Sequence, residues 1–432
     1  MRTSLWMGAL VCLAGAASAQ LPASAGSTSP PDTLHLTRHQ AMAMALMANP
    51  ALDVARQQTD QVRAQRVEGM AIPDPQVSAS LDDQTRFLGL GTAQSKNVAL
   101  DLAIPFPDKI RLQGKIGSAN VQSAQERLRL LQQQIAAAAS QAYDQVLLAE
   151  RTRRDLTEAD SLARDFLLKT QARFNARTVP RLDVIKAQVD VAQAANDLIA
   201  NARDVSNAQS GLNRILGRPL GAGVMLTDTL AVPPALPDLD VLEQLALQHR
   251  PELADLEAQM RAAQSTSRLA HEQSILPDLT LSAYRDFKGT QGTLFSAGLA
   301  FPLPVFFWQH TSGDFAENRH RELELAASIR DTRAAVGQDV RASYATADAA
   351  MRQAAYIRDQ LLPSAREAYR IASDSYALGG LSALDVLDAR RSLLDAEQQY
   401  SQALAAANSA RADLTRAAGV PLSTSAPGAS RE

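Results

Sequence analysis

Apolar residues along this chain keep two rhythms. Between Asp108 and Val179 there is no proline, and glycine occurs only at Gly114 and Gly117, while Leu128, Leu131, Ile135, Ala138 and Ala142 step by three and four. That spacing sets them on one stripe of a helix and predicts a coiled-coil seam. A helix over roughly residues 109 to 175 rises about 1.5 Å per residue and reaches about 100 Å, too long for a compact domain to cover. Its other faces are dominated by Ala, Gln, Arg and Asp, so it should pack sideways against similar helices. The second rhythm alternates. Val77, Ala79 and Leu81 alternate with Ser78, Ser80 and Asp82, and Val98, Leu100, Leu102 and Ile104 with Asn97, Ala99, Asp101 and Ala103. Further on, Leu279, Leu281 and Ala283 alternate with Thr280, Ser282 and Tyr284, and Phe295, Ala297, Leu299 and Phe301 with Ser296, Gly298 and Ala300. A stretch of about ten residues with one apolar face has the length and period of a transmembrane barrel strand.

Breaker residues place the remaining elements. An opening helix should start at Thr37 and run toward Met70, with a kink or break at Pro50. The long helix should end in the turn Ala176-Arg177-Thr178-Val179-Pro180, and a later one in Leu378-Gly379-Gly380-Leu381-Ser382, because glycine permits the left-handed geometry that closes a helix and proline or serine suits the next start. Each turn joins antiparallel helices. The returning helix, about residues 181 to 217, and the opening helix together match the long helix in length and could lie end to end beside it. Residues 20–36, rich in Ser, Pro and Ala, read as a flexible lead-in, and residues 218–239 as an exposed, proline-rich connector.

The whole arrangement is stated twice. Leu182-Asp183-Val184 recurs as Leu384-Asp385-Val386, and the same offset carries Phe174 onto Tyr376 and Gly217-Arg218-Pro219-Leu220 onto Gly419-Val420-Pro421-Leu422. Asn49-Pro50-Ala51-Leu52 is echoed by Arg250-Pro251-Glu252-Leu253, and Ile104-Pro105-Phe106-Pro107 by Phe301-Pro302-Leu303-Pro304. A tandem repeat over 37–217 and 240–419, followed by a tail at 420–432, is the economical reading, and it favours pseudo-symmetric assembly over a catalytic domain with an accessory one.

Residues 1–19 read as a cleavable export signal: Arg2 gives the positive start, Leu5 to Gly15 an apolar core, and Ala17-Ser18-Ala19 a small-residue cleavage site. Cys12, the only cysteine, falls inside that core, and its neighbours lack the lipoprotein pattern, so an unlipidated mature chain without disulfides is expected. No later stretch approaches the roughly twenty apolar residues of a spanning helix. The net charge of −3 becomes one unit more negative without Arg2, which argues against a nucleic-acid partner. Four strands cannot close a barrel, and lipid forbids open sheet edges, so strands that span a membrane require partner subunits. The competing reading is a periplasmic coiled-coil protein without a barrel, its hairpins folded onto helices. Enzymatic activity is not expected: there is no phosphate-binding glycine loop and no Gly-x-Ser-x-Gly elbow. No cofactor is implied. His35 and His39, near Met42, Met44 and Met47, have helical spacing but are better explained by packing and surface than by metal ligation.

These residues resemble the TolC-like outer-membrane factor family, the exit ducts of tripartite efflux pumps and type I secretion systems. The resemblance covers Leu36 to about Leu422 and is most specific from Ser375 through Ala389, with a weaker counterpart from Arg173 through Val184. It implies a mainly α chain with a small β part: long antiparallel coiled-coil helices forming an α-barrel in the periplasm, and four strands contributed to a trimeric 12-stranded outer-membrane β-barrel. The implied partners are two further copies in a homotrimer, a periplasmic adaptor, an inner-membrane RND-type transporter and outer-membrane lipid. Asp385 and Asp388 match paired acidic positions that ring the periplasmic entrance, and their spacing of three puts both carboxylates on one helix face. Tyr376 and Asp183 match positions that latch the closed entrance by hydrogen bonds between neighbouring hairpins. Leu381 departs from the family, where a basic residue stands, which leaves an ionic latch open. Ala176, Val179, Leu378, Gly379 and Leu381 match tips that meet the adaptor. Ile72-Pro73-Asp74-Pro75 and Ile104 to Lys109 look like the heavy-metal efflux (CzcC-like) branch, with drug, general-solute or protein export as alternatives.

Overall fold

The computed structural model describes residues 34–82, 95–275, 278–288, 292–302 and 307–422; the expected export signal and nearly all of the tail lie outside them. Local sequence sets the first boundaries. Thr37 starts α1 (Arg38–Ala48) with a reciprocal capping box: its hydroxyl accepts from the Gln40 N–H at 3.3 Å and its own N–H donates to Gln40 Oε1 at 2.9 Å. Asn49 then ends α1 and caps α2 (Pro50–Gly69), accepting from the Ala51 N–H at 2.9 Å. Pro50 stands at the first helical position, where its missing N–H costs nothing, so it makes a break rather than a kink.

From α2 the chain forms β2 (Gln76–Asp82) and β3 (Ser95–Ile104), enters the 69-residue α3 (Pro107–Asn175), and returns through α4 (Arg181–Ile215). The second copy repeats that order as α5 (Leu239–His249), α6 (Pro251–Ile275), β5 (Leu279–Lys288), β6 (Gly292–Ala300), α7 (Phe307–Tyr356), α8 (Leu362–Leu378) and α9 (Ala383–Ala418). Between α7 and α8 lies one π-helical turn, Ile357–Leu361, closed by the Leu362 N–H donating to Ile357 O. Pro363 follows and has no N–H to continue the ordinary ladder. Copy two therefore divides the rod that copy one keeps whole as α3.

The end-to-end stacking of short helices is fixed by close backbone contact. Asn49 Nδ2 donates to Ile215 O at 2.9 Å, so the end of α1 caps the end of α4. Gly217, at φ +67°, packs so tightly there that a Cβ would lie 2.2 Å from Ala48 O. Gly419, at φ +72°, is its repeat equivalent and abuts His249. The buried stripe of α3 runs through Ile135, Ala139, Tyr143, Val146 and Leu147, with Leu128, Leu131 and Ala142 packed at its margin; together with Leu52, Leu212, Leu216 and Leu404 it forms the central core. Alanine dominates the remaining seams, which lets helix backbones approach closely.

Two strands went unread in the sequence. Leu34–Leu36 (β1), placed above with the flexible lead-in, pairs in parallel with Val224–Leu226 (β4), placed above in the exposed connector. Val224 and Leu230 are buried, so that connector is a clasp joining the starts of the two copies. A polar cluster holds it to α3: Tyr143 Oη donates to Leu36 O at 3.0 Å and lies 2.9 Å from Asp228 Oδ2, the Arg38 N–H donates to Asp228, and the Arg38 side chain pairs with Asp144.

The four longer strands form one antiparallel sheet in the order β2-β3-β5-β6. The two hairpins meet where Ile104 pairs with Leu279 and Ser95 with Lys288. Register puts Val77, Leu100, Ala283 and Ala297 in one row, so the apolar sides of all four strands share a face. That face is uncovered: Val77, Phe295 and Leu299 are 73%, 76% and 62% exposed. On the other face Ala99 and Ser282 are buried, and Ser282 donates to Asp101. Among the described residues β2 and β6 each keep one unpaired edge. Among the described residues, these hairpins do not fold back onto helices.

Candidate functional site

At the end of the helices remote from the sheet, two tight turns lie side by side. In the first, the Arg177 N–H donates to Phe174 O at 2.8 Å and the Thr178 N–H to Arg173 O at 3.0 Å. In the second, the Gly379 N–H donates to Tyr376 O at 3.0 Å and the Gly380 N–H to Ser375 O at 2.8 Å. Both follow the left-handed helix-closing pattern, with Gly379 at φ +86° and its repeat equivalent Arg177 at φ +58°. Ala176, Leu378, Gly379 and Leu381 are exposed and Val179 is half-buried. Leu378 is 90% exposed, and Leu182 and Leu384 just beyond the turns are also open. The second tip thus presents small and aliphatic groups suited to close helix contact, whereas the first also carries the exposed Arg177 and Arg181.

Asp385 does a structural task at this place. It is the third residue of a capping box, its Oδ2 accepting from the Ser382 N–H at 2.9 Å and the Ser382 hydroxyl at 2.7 Å. Those bonds hold its carboxyl below the usual range, so it stays ionised. Asp388 is exposed and, among the described residues, makes no hydrogen bond or ion pair. Asp183, the repeat equivalent of Asp385, stands in the first turn of α4, where Pro180 at the cap offers no side-chain acceptor.

Tyr376 is 1% exposed, and its hydroxyl bonds to Thr170 Oγ1 at 3.2 Å on the neighbouring hairpin. Its ring lies 5.3 Å from Phe166 and 4.4 Å from the Arg173 guanidinium, which also donates to Tyr376 O. The structure brings Tyr376 to α3 and not to Asp183. Sequence reasoning missed the charged tie between hairpins. Arg390 on α9, 7% exposed, pairs with Asp190 on α4 and donates to Ala159 O on α3 at 3.1 Å. Asp190 lies one heptad beyond Asp183, on the same helix face, which is the only signal the sequence carries for it. Higher up, Arg151 donates to Ser401 at 2.9 Å, and Ser401 donates to Asp155 at 2.9 Å. Burial raises the Asp155 and Glu397 carboxyls above their usual range.

No helix of the described residues is long and apolar enough to cross a membrane, and no group of three His, Cys, Asp or Glu side chains among them is placed to hold a metal ion. His35 is exposed in β1 and His39 is exposed on α1. Two hairpin ends thus lie together, tied by Tyr376–Thr170 and Arg390–Asp190, with Asp385 and Asp388 beside them.

Comparison with known proteins gives a consistent picture. The family description "outer membrane efflux protein" matches residues 41–218 and again 242–420. The cobalt-zinc-cadmium resistance protein CzcC of Cupriavidus metallidurans is 26% identical over 380 residues, covering 84% of this chain and 85% of that one. Among solved structures, the outer-membrane channel OprN superposes with a TM-score of 0.76 at 19% identity, covering 89% of this chain and 90% of that one. CusC superposes with a TM-score of 0.75 at 17% identity, covering 89% and 92%.

Proposed function

The chain belongs to the outer membrane efflux protein family, and from that premise we propose that three copies join edge to edge into one duct, fed through a periplasmic adaptor by an inner-membrane RND-type transporter. It is an outer-membrane efflux channel of a tripartite system, with a small sheet for the membrane and a large helical part for the periplasm. One observation supports the closed-ring reading: the sheet has an uncovered apolar face that suits lipid and, among the described residues, unpaired edges at β2 and β6, which lipid does not tolerate and which pairing β6 of one copy with β2 of the next satisfies. The family-implied count of three copies makes twelve strands. Residues 1–19 act as the export signal.

Transport is passive. Energy enters at the inner-membrane pump, and the duct supplies a water-filled path with a gate at the helical tips. The adaptor meets Ala176, Val179, Leu378, Gly379 and Leu381, and its contact biases the hairpins toward an open packing. Three copies of Asp385 and Asp388 round one axis form a cation-attracting ring at the entrance. The cargo is metal cations, a reading supported by the relative named for cobalt, zinc and cadmium resistance. Deletion of the gene should raise cellular zinc, cobalt or cadmium and complementation should lower it; unchanged metal content with raised retention of organic solutes would contradict this cargo.

Single-channel recording in planar bilayers tests the ring. Replacing Asp385 and Asp388 together with Ala should weaken block by multivalent cations. Ser382→Ala, which removes the cap and keeps both charges, should leave block near wild type; equal loss in both variants would assign the effect to helix fraying instead.

A further inference from the structure

The membrane sheet sorts its charges by face. Among the described side chains of its strands, the cations Lys96 and Arg285 lie on the apolar side, while the carboxylates Asp101 and Asp286 fall on the other. Lys96 pairs with Phe287 and Arg285 with Val98 and Phe295 on the outward face; Asp101 pairs with Ser282 and Asp286 with Asn97 on the inward one. Both cations are exposed, and neither has an ion pair among the described residues. The Arg285 guanidinium lies 4.7 Å from the Phe287 ring centre and 5.2 Å from that of Phe295, a stack that keeps its fork of donors spread over the surface.

Height decides what these cations meet. The helices attach at the Ile104 and Leu279 end of the sheet, so the other end points away from the periplasm. The strand path from Ile104 to Lys96 is about 26 Å at about 3.3 Å per residue, or about 20 Å along the membrane normal for a strand tilted near 40°. Lys96 thus reaches the outer margin of an apolar band about 25 Å tall, and Arg285, level with Val98, lies two residues deeper on the same face. An uncompensated guanidinium at that depth is unfavourable in hydrocarbon and favourable against an anionic headgroup.

We propose that Lys96 and Arg285, framed by Phe287 and Phe295, form a binding site for the phosphate of a phosphorylated glycolipid in the outer leaflet. Arg285 offers two parallel N–H donors to the phosphate oxygens, Lys96 a third from the diagonal position of the neighbouring strand, and the two rings pack on the sugar and acyl boundary. The inference rests on the outer-membrane placement of the sheet.

The test uses full-length protein purified in detergent and stripped of bound lipid, titrated with diphosphoryl lipid A, with the same lipid after removal of its phosphates, and with inorganic phosphate. Binding is followed by the rise of the thermal midpoint and by native mass spectrometry. Wild type should respond to the phosphorylated lipid alone. Lys96→Gln and Arg285→Gln should each weaken that binding about fivefold, and Arg285→Lys should restore part of it. Equal binding of the dephosphorylated lipid, an equal response to inorganic phosphate, or undiminished binding by the double Gln variant would each overturn the site. Membrane fractionation of the same variants separates the two levels: failure of lipid binding in protein that still reaches the outer membrane removes the site and leaves the channel intact, whereas absence from that membrane removes both.

Discussion

Positions 177 and 379 occupy the same point of the two tip turns, yet one carries arginine and the other glycine, both with positive φ. A left-handed backbone costs a side-chain-bearing residue about 1–2 kcal/mol and costs glycine almost nothing. Gly379→Ala should therefore destabilise the second turn by about 1 kcal/mol, whereas Arg177→Gly should change the first by less than about 1 kcal/mol, relief of strain being offset by greater freedom of the unfolded chain. Hydrogen exchange at the amides of each turn measures both, and a larger loss for Arg177→Gly would contradict the geometry. A second residue sets a pH response. Asp144 is 1% exposed, and burial pushes its carboxyl up to about 6 despite the lowering effect of Arg38, with Asp228 raising it further. A folded value above the unfolded one means stability present at low pH and lost as pH rises through about 6, on the order of 3 kcal/mol. Asp144→Asn should accordingly flatten the fall in thermal midpoint between about pH 4 and about pH 6.5; a parallel fall in the variant would place the titration elsewhere. The tip motif was legible because a turn depends on adjacent residues. The Arg38, Asp144 and Asp228 cluster was not, since nothing local distinguishes a buried aspartate on a long helix from an exposed one.

Helix boundaries followed from caps and prolines: Thr37 with Gln40, Asn49 with Pro50, and Ser382 with Asp385 all carry their reason in neighbouring positions. The π turn at Ile357–Leu361 had only Pro363 to announce it, and the β1–β4 clasp had three residues on each side, too few to show a period. Contacts between hairpins were the least legible, because Arg390 and Asp190 stand on helices from different copies and their pairing depends on how those copies pack. That pair sets a prediction for the hairpins as units. Its side chains are 9% and 13% exposed, so removing one partner strands the other charge at a cost of about 3–5 kcal/mol. Arg390→Met should loosen α9 from α4, lowering the thermal midpoint and raising single-channel conductance. Adding Asp190→Asn should recover much of the stability while conductance stays raised. If Arg390→Met changes neither quantity, the tie does not hold the tips together.

For the whole molecule, the two hydrophobic periods separated the membrane part from the periplasmic part before any contact was known. The alternating segments became one sheet in register, and the three-four segments became rods of which α3 spans 69 residues. Tandem repetition was equally plain, because glycines such as Gly217 and Gly419 recur wherever helix ends abut at the same place in each copy. What one sequence does not spell is how many chains surround the axis, since unpaired edges on β2 and β6 demand partners without counting them. The most direct measurement is therefore the native mass of the detergent-solubilised mature protein: the account predicts a species of three chains that collapses to one on boiling, and a lone chain before heating would contradict it.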